Sequence, residues 1–325
     1  MNFNGIHSFK KWACLSIASM GLVACGGGSA DGKAAAASGV NNQAAASSDS
    51  NANNDGQTIN FGIINTESSQ NLKTDWEPFL ADMSQKTGLN IKPFFASDYA
   101  GVIQAMRFKK VDLAWYGNKS AMEAVDRADG EVFAQTINND GTTGYYSLMI
   151  VNADSPYKTE QDVLKDAAKL TFANGDPNST SGNLVPGYYV FAKNNVDATK
   201  IFKRTLNANH ESNAMAVANK QVDVGTFNTE GWAMMEKKNP DVLKKLKIVW
   251  KSPEIPSDPL VWRKDMTDAN KQKIKSFLMS YGSTPEEKKV LDALGWSKFR
   301  ESNNDQLKPI RELEEFKKQA AAKAA

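Results

Sequence analysis

Only two cysteines and two histidines occur in the 325 residues, and that scarcity excludes several chemistries at once. Two cysteines cannot staple a disulfide scaffold. With so few His and Cys, no HExxH pattern and no Asp-rich loop, the sequence holds no ligand cluster for a metal, and neither a metal nor a cofactor is expected. A Gly-x-Ser-x-Gly elbow is missing too, and bases for a catalytic triad are few. Charge of one sign is also lacking, with 39 Lys and Arg against 37 Asp and Glu. That balance argues against a nucleic-acid binder, which concentrates excess Lys and Arg along one face. No long apolar run follows the N-terminus, so a polytopic membrane protein is excluded. What is present, 41% hydrophobic residues, suffices for about two ordinary domains.

The N-terminus reads as an address. Lys10 and Lys11 precede an apolar run from Trp12 to Ala24, the charged region and short hydrophobic region of a secretory signal over residues 1–24. About a dozen apolar residues are too few to span a bilayer. The run ends in Leu22-Val23-Ala24-Cys25-Gly26, which resembles the lipobox of bacterial lipoproteins. That resemblance implies cleavage before Cys25, lipidation of Cys25 and anchorage to a membrane of the cell envelope. The other reading is a plain signal peptide with an incidental Cys. With Cys14 removed and Cys25 capped, no free thiol remains for catalysis. From Gly26 to Gln57 the composition is Gly, Ala, Ser, Asn, Asp and Gln with a single Lys33, and Val40 is the one sizeable apolar residue, so such a segment cannot form a core. Residues 25–57 therefore read as a tether with an end-to-end distance on the order of 30 Å. Removing residues 1–24 takes away Lys10 and Lys11 and no acid, so the formal charge falls from +2 to 0.

The body alternates strand and helix signals, the mark of an α/β fold. Thr58–Ile64 is a β-type run, Thr66-Glu67-Ser68-Ser69 a helix start, Trp76–Lys86 an amphipathic helix and Leu89–Phe95 a strand. Tyr99 opens a helix that leads to a strand over Val111–Trp115. The order recurs from Leu170, with His210 opening a helix in the second half. Tyr99–Asp112 and His210–Asp223 have equal length, and Ala105/Ala216, Lys109/Lys220, Val111/Val222 and Asp112/Asp223 match in register. A repeated supersecondary plan follows, with Tyr99 and His210 at equivalent helix starts in two lobes; chance likeness between two αβ units is the other reading. Strand-then-Pro punctuation at Asn152–Pro156 and Lys251–Pro253 marks two crossovers. The expected lobes are 58–152 with 254–325, and 153–253. Helices over Lys271–Tyr281, Pro285–Ala293 and Pro309–Lys318 are expected to pack on the first lobe. Two α/β lobes around a cleft usually bind something small there.

The strongest local constellation is Asn174-Gly175-Asp176-Pro177-Asn178-Ser179-Thr180-Ser181-Gly182. A Gly/Pro turn runs into three hydroxyl residues at a helix start, where unpaired N–H groups and the helix dipole favour an anion. No Walker-type Lys accompanies it, so a nucleotide is poorly supported; ordinary N-capping is the alternative reading. Pro186 is expected to kink or end this helix. His210 is the one histidine left after the signal departs. His210 and Tyr99 can both donate to an anion without a full fixed charge, or serve as a helix cap and a half-buried aromatic. Glu230 and Asp258 lie beside strand ends, where isolated acids are usually surface residues.

These segments resemble a known family. Phe61-Gly62-Ile63-Ile64, Asp98-Tyr99-Ala100-Gly101, Asp112–Asn118, Gly175–Gly182 and Asp258-Pro259-Leu260-Val261-Trp262-Arg263 are similar to the phosphonate-binding periplasmic component of an ABC transporter over about residues 59–318. The resemblance implies a two-lobed type II periplasmic-binding-protein fold with a two-segment hinge. It implies that Ser179, Thr180, Ser181 and His210 hold the phosphonate oxygens and that Tyr99 reaches them from the other lobe. Family members that take 2-aminoethylphosphonate surround the amine with acids and an aromatic, and Glu230, Asp258 and Tyr145 stand at those places here. The implied partners are a phosphonate, an ABC permease and, through it, an ATPase; a sensor lipoprotein or an extracytoplasmic phosphonate-cleaving enzyme are the other functions left open. Phe227 before Asn228, and Gly231-Trp232 after Glu230, depart from the expected pattern.

Overall fold

The computed structural model describes residues 57–324. The signal segment, Cys25 and the tether up to residue 56 lie outside the described residues. In chain order, β1 (Thr58–Ile63), β2 (Asn90–Phe95), β3 (Leu113–Trp115) and β4 (Gly130–Asn138) come first, and β5 (Gly144–Tyr145) leads into β6 (Ser147–Asn152). Then follow β7 (Thr171–Gly175), β8 (Arg204–Ala208), β9 (Val224–Asn228) and β10 (Leu246–Lys251), before β11 (Ile255–Pro256), β12 (Pro259–Arg263) and β13 (Trp296–Glu301).

Besides the two-stranded pair of β5 and β11, two large sheets form among the described residues, ordered β13-β4-β12-β3-β1-β2 and β10-β6-β9-β7-β8. In each, a central strand runs parallel to two neighbours, β1 between β2 and β3, and β7 between β8 and β9. An antiparallel strand follows, β12 beside β3 and β6 beside β9. Buried strands covered on both faces need apolar side chains throughout, and Phe61, Ile63, Leu113, Leu148, Met149, Ile150 and Phe172 are all fully buried. The helix Ser69–Thr87 is capped by Ser68, which accepts from Asn71 N. It lays Leu72, Trp76, Phe79 and Met83 on the first sheet at helical spacing.

The repeat is matched atom for atom. Tyr99–Arg107 and His210–Ala218 are both nine-residue helices, capped by Asp98 and Asn209. Lys109 and Lys220 both take left-handed backbone, at φ 58° and 56°. Val111 N donates to Ala105 O and Val222 N to Ala216 O. Finally Asp112 accepts from Asn60 N, and Asp223 from Thr171 N, so each acid ties the end of its unit to the start of the central strand. The shared plan makes the N-termini of the two helices equivalent points on facing lobes.

The lobe boundary needs correction. β6 belongs to the second sheet, between β9 and β10, so the first lobe's opening segment ends before Ser147 rather than at 152. The punctuation after Asn152 marks the end of a strand, while the crossing comes earlier, where Tyr145 pairs with Ile255 and Gly144 with Pro256. The C-terminal helix Lys308–Ala324 packs on the first lobe as expected, and does more. It packs on Asn118–Arg127 of the first lobe and also on the helical run after Ser179 in the second. The apolar Leu184 and Val185 of that run join the first lobe's core, so the C-terminal helix and this run face each other across the lobe boundary.

Candidate ligand site between the lobes

The second lobe's wall starts where β7 ends. A Cβ on Gly175 would stand 2.5 Å from Gly182 Cα, so only glycine lets the helical run begin directly against the strand end. Ser179 caps that run, accepting from Gly182 N at 2.9 Å. The first turn is wide, of the π type, with Leu184 N donating to Ser179 O at 3.1 Å and Val185 N to Thr180 O. Such turns recur at functional sites. Pro186 does not end the helix as expected. In the π register its missing N–H would have served Ser181 O, and Ser147 Oγ donates to that carbonyl instead, at 2.6 Å. Thr180 and Ser181 thus present first-turn N–H groups that the helix itself cannot satisfy.

His210 closes on the same point. Its Nε2 lies 3.4 Å from Ser179 Oγ and 3.4 Å from Ser181 Oγ. Burial pushes its pKa down to about 4, so the imidazole is neutral at pH 7 and brings one N–H donor rather than a charge. From the first lobe come Tyr99, buried, with its backbone N donating to Asp176 Oδ2 at 3.2 Å, and the helix Asn118–Arg127, whose Lys119 N donates to Thr180 Oγ1 at 2.8 Å. Burial, and then the Asp258 and Asp176 charges, push the Tyr99 phenol up, which keeps its proton available for donation. Two helix N-termini therefore converge on Thr180 from opposite lobes, concentrating partial positive charge.

Two acids stand next to these donors. A Cβ on Gly117 would meet Thr180 Oγ1 at 3.3 Å and Asp258 Oδ1 at 3.8 Å, which places Asp258 beside the hydroxyl cluster. Glu230 comes in the first turn of the helix Thr229–Lys238, capped by Asn228. Glu230 Oε1 and Asp258 Oδ1 are both buried without a hydrogen-bond partner among the described residues. Burial, with Asp140 adding, raises Glu230 to about 7. Asp258 is raised by burial and by the charge of Glu230, against the pull of a Tyr145 hydrogen bond. The cost of leaving one oxygen of each carboxyl buried without a partner is large unless a cation joins them. Phe227 and Gly231, the departures from the family pattern, answer each other: a Cβ on Gly231 would stand 2.8 Å from the Phe227 ring, so the glycine makes room for it.

All eight residues expected at the site, Tyr99, Tyr145, Ser179, Thr180, Ser181, His210, Glu230 and Asp258, line one cavity of about 440 Å³. Sequence reasoning passed over Lys119, whose backbone reaches Thr180, and Asn228, whose Nδ2 donates to Ser181 Oγ at 3.3 Å. The cap pattern of Asn228 before Thr229 was the one local signal for the latter. The cavity thus brings a group of neutral donors and a pair of carboxyls side by side. It suits a small molecule with an oxyanion at one end and a cation at the other.

A family model described as the periplasmic substrate-binding protein of a phosphonate ABC transporter matches residues 61–307. The chain belongs to this family. Its function is therefore that of a phosphonate-binding periplasmic component of an ABC transporter, a family of substrate-binding proteins rather than enzymes. The chain is 60% identical over 268 residues to the phosphonates-binding periplasmic protein of Escherichia coli K12, covering 82% of this chain and 79% of that one. A crystallised binding-protein component of a phosphonate ABC transporter from Pseudomonas aeruginosa is 62% identical. Its TM-score is 0.82, with 83% of this chain and 90% of that one covered. PhnD1 from Prochlorococcus marinus, crystallised with methylphosphonate, is 24% identical, covers 79% of this chain and 97% of its own, and shares the two-lobed fold at a TM-score of 0.72. Among the described residues no helix is long and apolar enough to cross a membrane.

Proposed function

We propose that this chain is the lipid-anchored receptor of a phosphonate importer, and that its preferred ligand is 2-aminoethylphosphonate, delivered to an ABC permease driven by an ATPase. The phosphonate head sits on the first-turn N–H groups of Thr180 and Ser181, the hydroxyls of Ser179, Thr180 and Ser181, the neutral His210 and the Tyr99 phenol. The ammonium sits between Glu230 and Asp258, beside Tyr145. The observation that carries this reading is the pair of buried carboxyl oxygens without partners beside a cluster of neutral donors.

Neutral donors suit a carrier. They satisfy the phosphonate oxygens through charge-assisted hydrogen bonds without a fixed cation, which would bind any divalent anion strongly and release it slowly. The carboxyl pair adds selection, since a ligand without a cation leaves both acids unpaired. It also couples binding to closure: the closed form buries Glu230 and Asp258, and the ammonium removes the electrostatic cost of that burial, shifting the population toward the closed lobes that dock on the permease. The paired strands β5 and β11 are the hinge on this reading. Anchorage through Cys25, with the tether of residues 25–57, holds the receptor at the membrane while leaving the body free to reach its permease.

The pH dependence tests the carboxyl assignment. Without a cation Glu230 is held up at about 7 by burial, so in the closed cleft it is largely ionised above that pH and protonated below it. An ammonium needs the ionised form, and binding below pH 7 must displace the proton. Lowering the pH from about 8 to about 6 is expected to weaken 2-aminoethylphosphonate relative to methylphosphonate, by up to about tenfold per pH unit for each proton displaced. The ammonium lowers the zwitterion's own phosphonate pKa relative to methylphosphonate, so each affinity is first referred to that ligand's phosphonate dianion, and the corrected ratio isolates the acids. A ratio that stays flat across this range in calorimetric titrations rejects the role given to Glu230.

A further inference from the structure

The cavity is larger than its proposed ligand. 2-Aminoethylphosphonate has seven non-hydrogen atoms; even at about 30 Å³ each, the share of a water molecule in the liquid, these fill under half of the 440 Å³ between the lobes. The surplus has a definite chemistry at the amine end. Met234 follows Glu230 by one helical turn on the helix Thr229–Lys238 and so shares its face. Its sulfur would lie 3.3 Å from a Cβ placed on Gly295, and Trp296 comes next in the chain. Trp296 packs on Trp76 and Trp115 with ring centres 5.4 Å and 5.7 Å apart. Met234, Leu294, Gly295, Trp296 and Trp115 all line the cavity. A thioether and indole wall thus stands on the Glu230 side of the cavity, and its side chains offer no strong hydrogen-bond acceptor, since the indole N–H is a donor only and the thioether sulfur accepts weakly.

We propose that this wall is a subsite for an alkyl group on the ligand's nitrogen, so that the site takes N-alkylated 2-aminoethylphosphonates, secondary amines, alongside the primary amine. The inference rests on the reading of Glu230 and Asp258 as the ammonium's partners. A primary ammonium carries three hydrogens, and two carboxylates use one each. In a secondary ammonium the two remaining hydrogens still serve both acids, while the alkyl group takes the third direction. There Met234 and the indoles bury it, and the alkyl carbon, which shares part of the ammonium's positive charge, gains from the aromatic faces.

Calorimetric titration of the protein and of its Met234→Phe variant, each with 2-aminoethylphosphonate and N-methyl-2-aminoethylphosphonate, tests this. In the unaltered protein the N-methyl compound is expected to bind within about tenfold of the primary amine, a difference of one decade in Kd. In Met234→Phe, whose bulkier ring narrows the wall, the N-methyl compound is expected to lose at least about ten times more affinity than the primary amine. An N-methyl compound more than about tenfold weaker in the unaltered protein overturns the subsite, as do equal losses for both ligands in the variant. The comparison in the unaltered protein stands even if the variant folds poorly. If the primary amine itself gives no binding while methylphosphonate does, the reading of the two acids fails first and takes the subsite with it.

Discussion

Replacing Asp258 by alanine is expected to cut affinity for 2-aminoethylphosphonate by about 30-fold to several thousand-fold, corresponding to the roughly 2–5 kcal/mol lost when one partner of a buried charge pair is removed. Methylphosphonate should change by less than about fivefold, because it brings no cation to Asp258 and the substitution removes a carboxyl that its binding would leave unpaired. Asp258→Asn separates charge from shape: it keeps the volume beside Gly117 and the Tyr145 contact while abolishing the negative charge, and it should reproduce most of the alanine loss. Isothermal titration with both ligands measures the two arms in one series. Parallel losses for both ligands would contradict the assignment of Asp258 to the ammonium, whatever their size.

Thr180→Val is expected to act in the opposite pattern, weakening every phosphonate alike by about 5- to 150-fold, or 1–3 kcal/mol per lost charge-assisted bond. Thr180 is the informative choice among the three hydroxyls. Ser179 caps its helix through Gly182 N, and Ser181 accepts from Asn228, so replacing either disturbs the fold of the wall as well as the ligand. Valine keeps the shape of threonine, and Thr180 Oγ1 accepts from Lys119 N across the lobe boundary. The variant therefore loses a ligand donor and a contact of the closed form together, both common to all phosphonates. A loss confined to the amine-bearing ligand would contradict this placement of the phosphonate head.

Much of this arrangement is legible in the chain itself, because local rules govern it. The repeat could be read from Ala105/Ala216, Lys109/Lys220 and Asp112/Asp223 since each residue performs the same local task twice: a left-handed turn after a helix, then an acid that returns to the central strand. The wall proposed for the anion is visible because Gly175, Ser179 and Gly182 are required by backbone geometry within eight residues. What escaped is non-local. The assignment of β6 depends on its pairing with β9 and β10, and no local signal in Ser147–Asn152 tells which sheet it joins. The shared packing of the C-terminal helix, and the reach of Lys119 to Thr180, depend on how two lobes meet. Pro186 misled for a different reason: the rule that proline breaks a helix assumes the ordinary register, whereas here a wide turn shifts the orphaned carbonyl to Ser181, and Ser147 satisfies it from outside. The tryptophan wall beside the acids likewise joins residues more than two hundred positions apart.

The most direct test of the account is a pair of calorimetric titrations of the unaltered protein at about pH 7.5, one with 2-aminoethylphosphonate and one with methylphosphonate. Both are expected to bind at one site per chain, with the amine-bearing ligand tighter by at least about tenfold, or 1.4 kcal/mol. Methylphosphonate binding as tightly as the zwitterion, or neither ligand giving any heat, would contradict it.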